Sequence, residues 1–508
     1  MAKQVIYYKN IEGLRNEGVA FEYTPEQISE IIKCKNDIEY FLKTYVKVIH
    51  QERGKVNFQL YDYQKKIIKT YQEKNRIIIM SSRQSGKSIT SLGYILHFIL
   101  FNNHKNVAIL ANKGMTARKL LGELKNMYKG LPLWLQQGVR TWNKTLIELE
   151  NDCKVITSGT SKDAIRGESI SILYIDETAF IERGIWDEFY SSVYPVISTN
   201  KNAKIIFSST PYGLNHFYKL WKDAINDRNG FTPLKFDWRV VPGRDEKWKE
   251  KTVKEIGLKK FRQEYELEFL GSNNTLIEGE KLSAMVYDEP IETRFNGKMR
   301  IYEKPEKGHN YILLSDVAEG KEQDSSTIQI FDITEKPFKQ VLSYDDNTIS
   351  EPSFAMVIDN IGRYYNNALV LVENNIGGEL LYILNYEYEY PNIFYWEKEL
   401  GIRTTTRTKN RGCSKLKYLI ENDQIIIRDY PTIYQLSVFV KKGNSYRADD
   451  GEHDDLVIPL VLFSYLLGDT ILREYFIEKN PFAVKKEEIE KELSFAFIYN
   501  DGSETLEI

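Results

Sequence analysis

The chain has 508 residues, 42% hydrophobic and 28% charged, a composition of ordinary globular proteins with room for two or three buried cores. Lys and Arg number 69 against 72 Asp and Glu, a net charge of -3, so any nucleic-acid contact must come from local patches. Three scattered cysteines (Cys34, Cys153, Cys413) argue against a disulfide framework or a Cys-based metal site, and no apolar run reaches the roughly 20 residues of a membrane span. With no apolar signal core at its start, the expectation is a soluble intracellular protein with no membrane contact.

Residues 1–57 read as a polar, helical segment in which Thr24-Pro25-Glu26-Gln27 supplies the cap, early proline and acid of a helix start. A further helix begins after Phe58 and carries Gln64, whose amide either reads an adenine edge or lies on a solvated helix face. Ile77–Met80 has the apolar run of a buried strand, and Ile89, Leu92, Ile95, Leu96 and Ile99 have helical spacing. Between them Ser81-x-x-x-x-Gly86-Lys87-Ser88 fits the phosphate-binding loop, with serine in place of its first glycine. Backbone N–H groups and a helix N-terminus make such a loop an anion site, and Ser85 and Gly86 lie within it. Lys87 is suited to the β and γ oxygens of ATP and Ser88 to Mg²⁺.

A strand at 105–111, a helix from Met115 to Met127 and a hairpin pairing 146–150 with 154–157 follow. Arg166, in the loop 159–167, is either a phosphate contact or a solvated arginine. The strand from Ile170 ends in Asp176-Glu177, a metal-holding and a water-activating acid or else a helix cap; Lys87 upstream favours the chemistry. The strand from Ala203 ends in Ser208-Ser209-Thr210, either an ordinary turn or, given the preceding motifs, a strand end beside the γ-phosphate that senses its loss. This alternation predicts an α/β fold, a P-loop (RecA/ASCE-like) parallel-sheet ATPase domain over 58–230. Residues 231–295, with Trp238, Trp248 and a charged helix expected over 250–269, read as a helical connector.

A second domain is expected over 296–475, before a charged tail at 476–508. One apolar strand ends at Asp316, with Glu319 and Asp324 beyond it, another at Glu373, and Asp454-Asp455 open an apolar helix. Separated carboxylates in this order have the RNase H-like pattern that holds two divalent ions about 3.5–4 Å apart for phosphodiester cleavage. All-oxygen ligands suit Mg²⁺ or Mn²⁺; acids that merely cap strands and helices are the alternative. Arg407, Lys409 and Arg411 lie in an acid-free stretch, 403–412, expected to be a loop that either tracks DNA phosphates or is simply solvated.

The segments Ser82-Arg-Gln-Ser-Gly-Lys-Ser, Leu173-Tyr-Ile-Asp-Glu-Thr-Ala-Phe-Ile, Ser209-Thr-Pro-Tyr-Gly-Leu-Asn-His-Phe-Tyr and Phe261-Arg-Gln-Glu-Tyr occur in that order. Ser315-Asp-Val-Ala-Glu-Gly-Lys-Glu-Gln-Asp, Thr405-Thr-Arg-Thr-Lys with Gly412-Cys-Ser, and Gly451-Glu-His-Asp-Asp-Leu-Val follow. Together, from about residue 58 to 465, they resemble the large terminase subunit of tailed bacteriophages, particularly the contractile-tailed branch. The resemblance implies a viral DNA-packaging motor: an ATPase that drives double-stranded DNA into an empty capsid and an RNase H-like endonuclease that cuts the concatemer at start and end. It assigns ATP and Mg²⁺ to Lys87, Ser88 and Asp176, the catalytic base to Glu177, and the trigger of hydrolysis to Arg83. Gln64 matches the adenine position, Ser209 and Thr210 the coupling motif, and Asp316, Glu373 and Asp454, with Asp455 and Asp324 beside them, the nuclease acids. It also implies a portal protein, a small terminase subunit and a homo-oligomeric ring on the portal, formed by a subunit monomeric in solution. The host cytoplasm and, transiently, the portal vertex are the implied locations. A helicase–nuclease would need a second RecA-like sheet, which the sequence lacks, and a catalytically dead vertex protein is disfavoured by the intact acids.

Overall fold

The structure, a computed structural model, describes residues 6–50, 54–161, 164–165, 169–198, 202–270, 274–318, 325–375, 377–396, 399–449 and 451–467. The chain divides into two units, Met1–Leu270 and Gly271–Ile508. Arg166, Glu319, Asp324 and the 476–508 tail lie outside the described residues. Among those described, no helix is long and apolar enough to cross a membrane.

In the first unit the Thr24 N–H donates to Gln27 Oε1 and Thr24 Oγ1 accepts from the Gln27 N–H, a reciprocal cap that starts α1 (Pro25–Asn36). After α2 (Ile38–Tyr45), β1 (Lys47–His50) and β2 (Gly54–Asn57) form a hairpin, and α3 (Asp62–Glu73) leads to the first central strand. That strand is β3 (Arg76–Ser81), followed by α4 (Lys87–Phe101), β4 (Asn106–Ala111), α5 (Gly114–Lys129), β5 (Val139–Trp142), β6 (Leu146–Leu149) and β7 (Lys154–Gly159). Then come β8 (Ile172–Asp176), α6 (Arg183–Ser198), β9 (Lys204–Ser209), α7 (His216–Ile225) and β10 (Thr232–Phe236). The strands form one sheet in the order β10-β3-β9-β8-β4-β7-β6-β5, parallel from β10 to β7 and antiparallel at the β7-β6-β5 edge.

Side chains alternate across the sheet, and both faces are buried. Ile77 and Ile79 join one core with Ile67, Leu92, Ile95 and Leu121, while Ile78 and Met80 join the opposite core with Trp186, Phe189, Phe217 and Trp221. Each such side chain contributes about 1.5–3 kcal/mol by leaving water, so the layers are set by pattern alone.

The segment expected as one connector, 231–295, is divided. Leu234 and Phe236 of β10 are buried in the first unit's core, and β10 pairs with β3. Within the same unit, α8 (Glu246–Ile256) and α9 (Leu258–Glu264) replace the single helix expected over 250–269, because Gly257 takes a φ of 82° between them. Residues from 271 onward belong to the second unit.

The second unit opens with α10 (Gly279–Ala284), β11 (Glu292–Arg294), β12 (Met299–Ile301), β13 (Tyr311–Asp316), β14 (Ser326–Asp332) and β15 (Phe338–Asp346). It continues through α11 (Glu351–Tyr364), β16 (Leu369–Val372), α12 (Gly378–Tyr382), β17 (Tyr395–Trp396), β18 (Glu399–Leu400) and α13 (Thr406–Glu421). The remainder is β19 (Ile425–Ile426), α14 (Tyr430–Val438), β20 (Phe439–Lys442), β21 (Ser445–Ala448) and α15 (Ile458–Leu467). The main sheet runs β11-β12-β15-β14-β13-β16, with β19 beside β15; β13 is parallel to β16 and antiparallel to β14. Leu313, Ile328 and Val370 pack with Phe354 and Ile358 of α11 on one face. On the other, Thr327 Oγ1 donates to Asp455 O, Gln329 Nε2 to Leu456 O, and the Phe331 ring lies 6.0 Å from Phe463 of α15.

At Gly412 α13 lies directly against α15: a Cβ there would stand 2.2 Å from Val461 O. Gly412→Ala must therefore push two helices apart, and we expect a loss of about 2–3 kcal/mol, read as a lower denaturant midpoint in the purified chain.

Candidate active sites

The loop between β3 and α4 is folded by its own small residues. Gly86 adopts φ 82° at the start of α4, and a Cβ there would meet Gln64 Nε2 at 2.9 Å, so the turn needs glycine. Ser85 Oγ is 2.6 Å from Ser81 Oγ, and Tyr63 donates its hydroxyl to Ser85 O. Gln64 is buried beside the loop, with Oε1 accepting from the Tyr61 N–H at 2.9 Å.

Strand order brings the other half of the site across. β9 lies between β3 and β8, and β8 ends at the same level, with Asp176 opposite Ser208. Ser88 Oγ donates to Asp176 Oδ2 at 2.7 Å and Ser208 Oγ to Asp176 Oδ1 at 2.7 Å. Lys87 Nζ meets Glu177 Oε1 at 2.9 Å. Burial pulls the Lys87 amine down, but Glu177 and Asp176 together outweigh it and hold the amine above its ordinary value, as a cation. Glu177 stands in the left-handed region at φ 51°, which turns its carboxylate away from that of Asp176. An oxygen ligand pair at Ser88 and Asp176 beside a buried ammonium fits a Mg²⁺-bound triphosphate.

Ser209 and Thr210 are buried at the end of β9, and Ser209 Oγ accepts from the Ala179 N–H at 3.1 Å, which ties this strand end to the turn after Glu177. Arg83, at the loop apex, pairs with Glu264 at 2.5 Å. Arg244 donates to the carbonyls of Arg83 and Gln84, each at 3.1 Å. Neither Arg244 nor Glu264 was given a role by the sequence; Glu264 lay in the matching Phe261-Arg-Gln-Glu-Tyr segment, whereas no local signal marks Arg244.

His216 adds a titratable support under the Asp176-Glu177 turn. Its Nε2–H donates to Thr178 O at 2.8 Å, its ring stacks 4.5 Å from Trp186, and its buried Nδ1 has no hydrogen-bond partner. Burial lowers its pKa to about 4, because a second N–H would have nothing to donate to. The depressed value means that its contribution is present above an unfolded pKa of about 6.5 and is lost as pH falls through the folded pKa. We expect the first unit to lose about 3 kcal/mol between roughly pH 6.5 and 4, and His216→Gln to flatten that part of the stability–pH curve measured by denaturant unfolding.

In the second unit Asp316 ends β13 and Glu373 follows β16 directly, where those strands run parallel. Burial raises the pKa of Asp316 far above the carboxylate range, and Glu373, hydrogen-bonded to it, and Asp455 raise it further. Asp455 is anchored at the start of β14, its carboxylate accepting from the Ser325 N–H and its carbonyl from Thr327 Oγ1, each at 2.9 Å. Asp454 points elsewhere: its Oδ2 accepts from the Ala448 N–H at 3.1 Å. The structure thus brings together Asp316, Glu373 and Asp455, with Asp454 adjacent in sequence. Among the described residues no three His, Cys, Asp or Glu side chains already stand at metal-holding distance of one point. An acid that neighbouring carboxylates push toward its protonated form is nonetheless a site that a divalent cation fits, since its charge removes the conflict.

Arg407, Lys409 and Arg411 are not in a loop, as expected, but in the first turns of α13. Thr405 and Thr408 form a reciprocal cap that starts the helix without an apolar residue, a signal easily read as loop composition. Arg407 and Arg411, one turn apart, are exposed, while Lys409 lies over the Phe439 ring.

A lysine-bearing phosphate loop facing two acids over a parallel sheet, followed by an RNase H-like sheet with clustered carboxylates, defines a P-loop ATPase joined to a nuclease domain. Residues 78–284 match the family model described as "Terminase large subunit, T4likevirus-type, N-terminal", and residues 314–463 match "Terminase RNaseH-like domain". The terminase large subunit of Thermus phage G20c is 26% identical over 353 residues, 65% of this chain and 69% of that protein. The large terminase of bacteriophage HK97 aligns with a TM-score of 0.48 at 12% identity, over 85% of this chain and 99% of that one. The chain belongs to the large terminase subunit family of tailed bacteriophages, the DNA-packaging motors with ATPase and nuclease activity.

Proposed function

We propose that ATP hydrolysis in the first unit drives double-stranded DNA into an empty capsid, and that the second unit cuts the concatemeric genome when packaging starts and ends. The observation that carries the ATPase half is the meeting of Lys87 with Glu177 and of Ser88 with Asp176, residues 90 and 88 positions apart. In this reading Lys87, with Ser85 and Gly86 of the loop, holds the phosphates and Glu177 takes a proton from the attacking water. Arg83 meets the γ-phosphate, Gln64 presents its Nε2–H₂ to the adenine side, and Ser209 and Thr210 pass the change in the phosphate site to the end of β9. Ser88 and Asp176 would hold one Mg²⁺, and Asp316, Glu373 and Asp455 would hold Mg²⁺ or Mn²⁺ for the nuclease, with Asp454 next to them in sequence and accepting from the Ala448 N–H. A bound divalent ion supplies Lewis acidity and charge neutralisation at each site.

Arg407, Lys409 and Arg411 would follow the DNA backbone beside the nuclease acids. We expect Arg407→Ala with Arg411→Ala to weaken binding of all duplex sequences alike and to lower the salt slope by about two. Family membership supports DNA, a portal protein and a small terminase subunit as partners; a homo-oligomeric ring at the portal vertex in the host cytoplasm, formed from a monomer, is the setting in this reading.

The test is packaging in vitro: emptied capsids with portal, linear duplex DNA, ATP and the full chain. DNA protected from added nuclease by wild type and not by Lys87→Ala supports the reading. Protection by Lys87→Ala would end it.

A further inference from the structure

We propose that Asn375 is a positioning residue that couples DNA on α13 to the metal acid Glu373, so that duplex DNA lying on the helix completes the nuclease site. The inference rests on the reading of Asp316, Glu373 and Asp455 as metal acids and of Arg407 and Arg411 as DNA contacts, and adds the link between them.

The link is a short run of hydrogen bonds within the second unit. Asn375 Nδ2 donates to Glu373 Oε1 at 2.8 Å, and Asn375 Oδ1 accepts from the Thr404 N–H at 3.2 Å. One planar amide thus spans from a carboxylate of the site to the residue before Thr405, whose side chain caps α13. Arg407 and Arg411 stand in the first two turns of that helix. The backbone on either side of the amide is held independently of it. The Glu373 N–H donates to Ser315 O at 3.0 Å, the Asn374 N–H to Ile402 O at 2.8 Å and Asn374 Nδ2 to Leu400 O at 2.8 Å. Gly401, at φ 76°, lies so close that a Cβ there would stand 2.6 Å from Val372 O. What is left to move is the exposed Asn375 amide, the half-buried Glu373 carboxylate and the Thr404 peptide.

The arrangement is not yet a metal-holding one. Glu373 is hydrogen-bonded to Asp316, and among the described residues the acids do not converge on one point, so a carboxylate must turn before a divalent ion is held. Thr404 Oγ1 is buried without a hydrogen-bond partner among the described residues, a cost that a small shift of this segment can relieve. Phosphates bound by Arg407 and Arg411 pull on the first turns of α13. The cap moves with them, Asn375 follows the Thr404 N–H, and Glu373 Oε1 is turned toward the metal position. The coupling is reciprocal: an ion that draws Glu373 favours the same placement of the helix start, so metal and duplex each tighten the other.

The experiment is anisotropy of a fluorescent duplex titrated with the full chain, in chelator and in Ca²⁺ at one ionic strength. Ca²⁺ is the probe because it takes oxygen ligands in a flexible geometry, and the duplex is checked intact on a gel afterwards. In wild type Ca²⁺ is expected to tighten duplex binding about five-fold or more. Asn375→Ala is expected to match wild type in chelator and to gain nothing from Ca²⁺. If Asn375→Ala melts below the assay temperature, Asn375→Leu, of nearly the same shape and with neither hydrogen bond, must show the same loss. A wild-type gain from Ca²⁺ in these variants, or no gain in wild type, overturns the proposal. So does weaker binding of the variants in chelator, which would leave Asn375 as a support of the helix start. Two controls separate the layers. A Ca²⁺ gain retained in Asp316→Asn defeats the metal-site reading, and unchanged binding in chelator by Arg407→Ala with Arg411→Ala defeats the DNA reading. With both controls as expected, a Ca²⁺ gain in Asn375→Ala defeats the inference on Asn375 alone.

Discussion

Glu177→Gln is expected to bind ATP yet hydrolyse it about 10²–10⁴-fold more slowly than wild type, the usual loss when a general base is removed. The substitution is nearly isosteric and keeps an acceptor for Lys87 Nζ, which lies 2.9 Å from Glu177 Oε1, so the loop has no reason to collapse. It removes the basicity on which water activation depends. Lys87, still buried, retains Asp176 as a neighbouring negative charge. Nucleotide affinity measured by titration should therefore change little while turnover in a phosphate-release assay collapses. A variant that loses binding as well would mean that Glu177 holds the phosphate loop together and that the base lies elsewhere.

Asp316→Asn should abolish cleavage of plasmid DNA, by at least the roughly 10–100-fold lost when mere outer-shell partners of a metal are removed. The same variant should be more stable than wild type when divalent ions are chelated at neutral pH. The sign follows from the direction of its pKa: burial, Glu373 and Asp455 raise it, so the favourable neutral form prevails below the unfolded value. That contribution is lost as pH rises from the unfolded value through the folded one, because the folded chain must keep a proton on Asp316 that the unfolded chain releases. Asparagine removes that cost. Added Mg²⁺ or Mn²⁺ should raise the melting temperature of wild type by linkage and leave Asp316→Asn nearly unmoved. Equal stabilisation of both proteins would place the metal away from Asp316.

Periodicity and strand ends carried most of what the sequence could tell. Ile77–Met80 and Leu369–Val372 are buried strands because nothing in them is polar, and Glu373 after the second marks the edge of its sheet. Long-range geometry was not legible. Arg244 and Glu264 reach the loop apex from 161 and 181 positions away, which no local pattern encodes. Nor does the Asp454-Asp455 dipeptide say which carboxylate turns inward; the answer comes from β14, whose Thr327 and Gln329 bind the backbone of Asp455 and Leu456. The basic stretch before Gly412 looked like loop because its helix starts on a threonine pair instead of an apolar residue. Gly257 divided the expected long helix for a simple steric reason, its positive φ.

The central claim is that one chain carries two chemically separate sites whose essential residues do not overlap. Its most direct measurement is the cross-assay: ATP turnover of Asp316→Asn, and plasmid cleavage with Mn²⁺ by Glu177→Gln, each beside wild type. The account predicts wild-type turnover in the first and wild-type cleavage in the second. Loss of turnover in Asp316→Asn, or of cleavage in Glu177→Gln, in a protein with an unchanged melting temperature would contradict it.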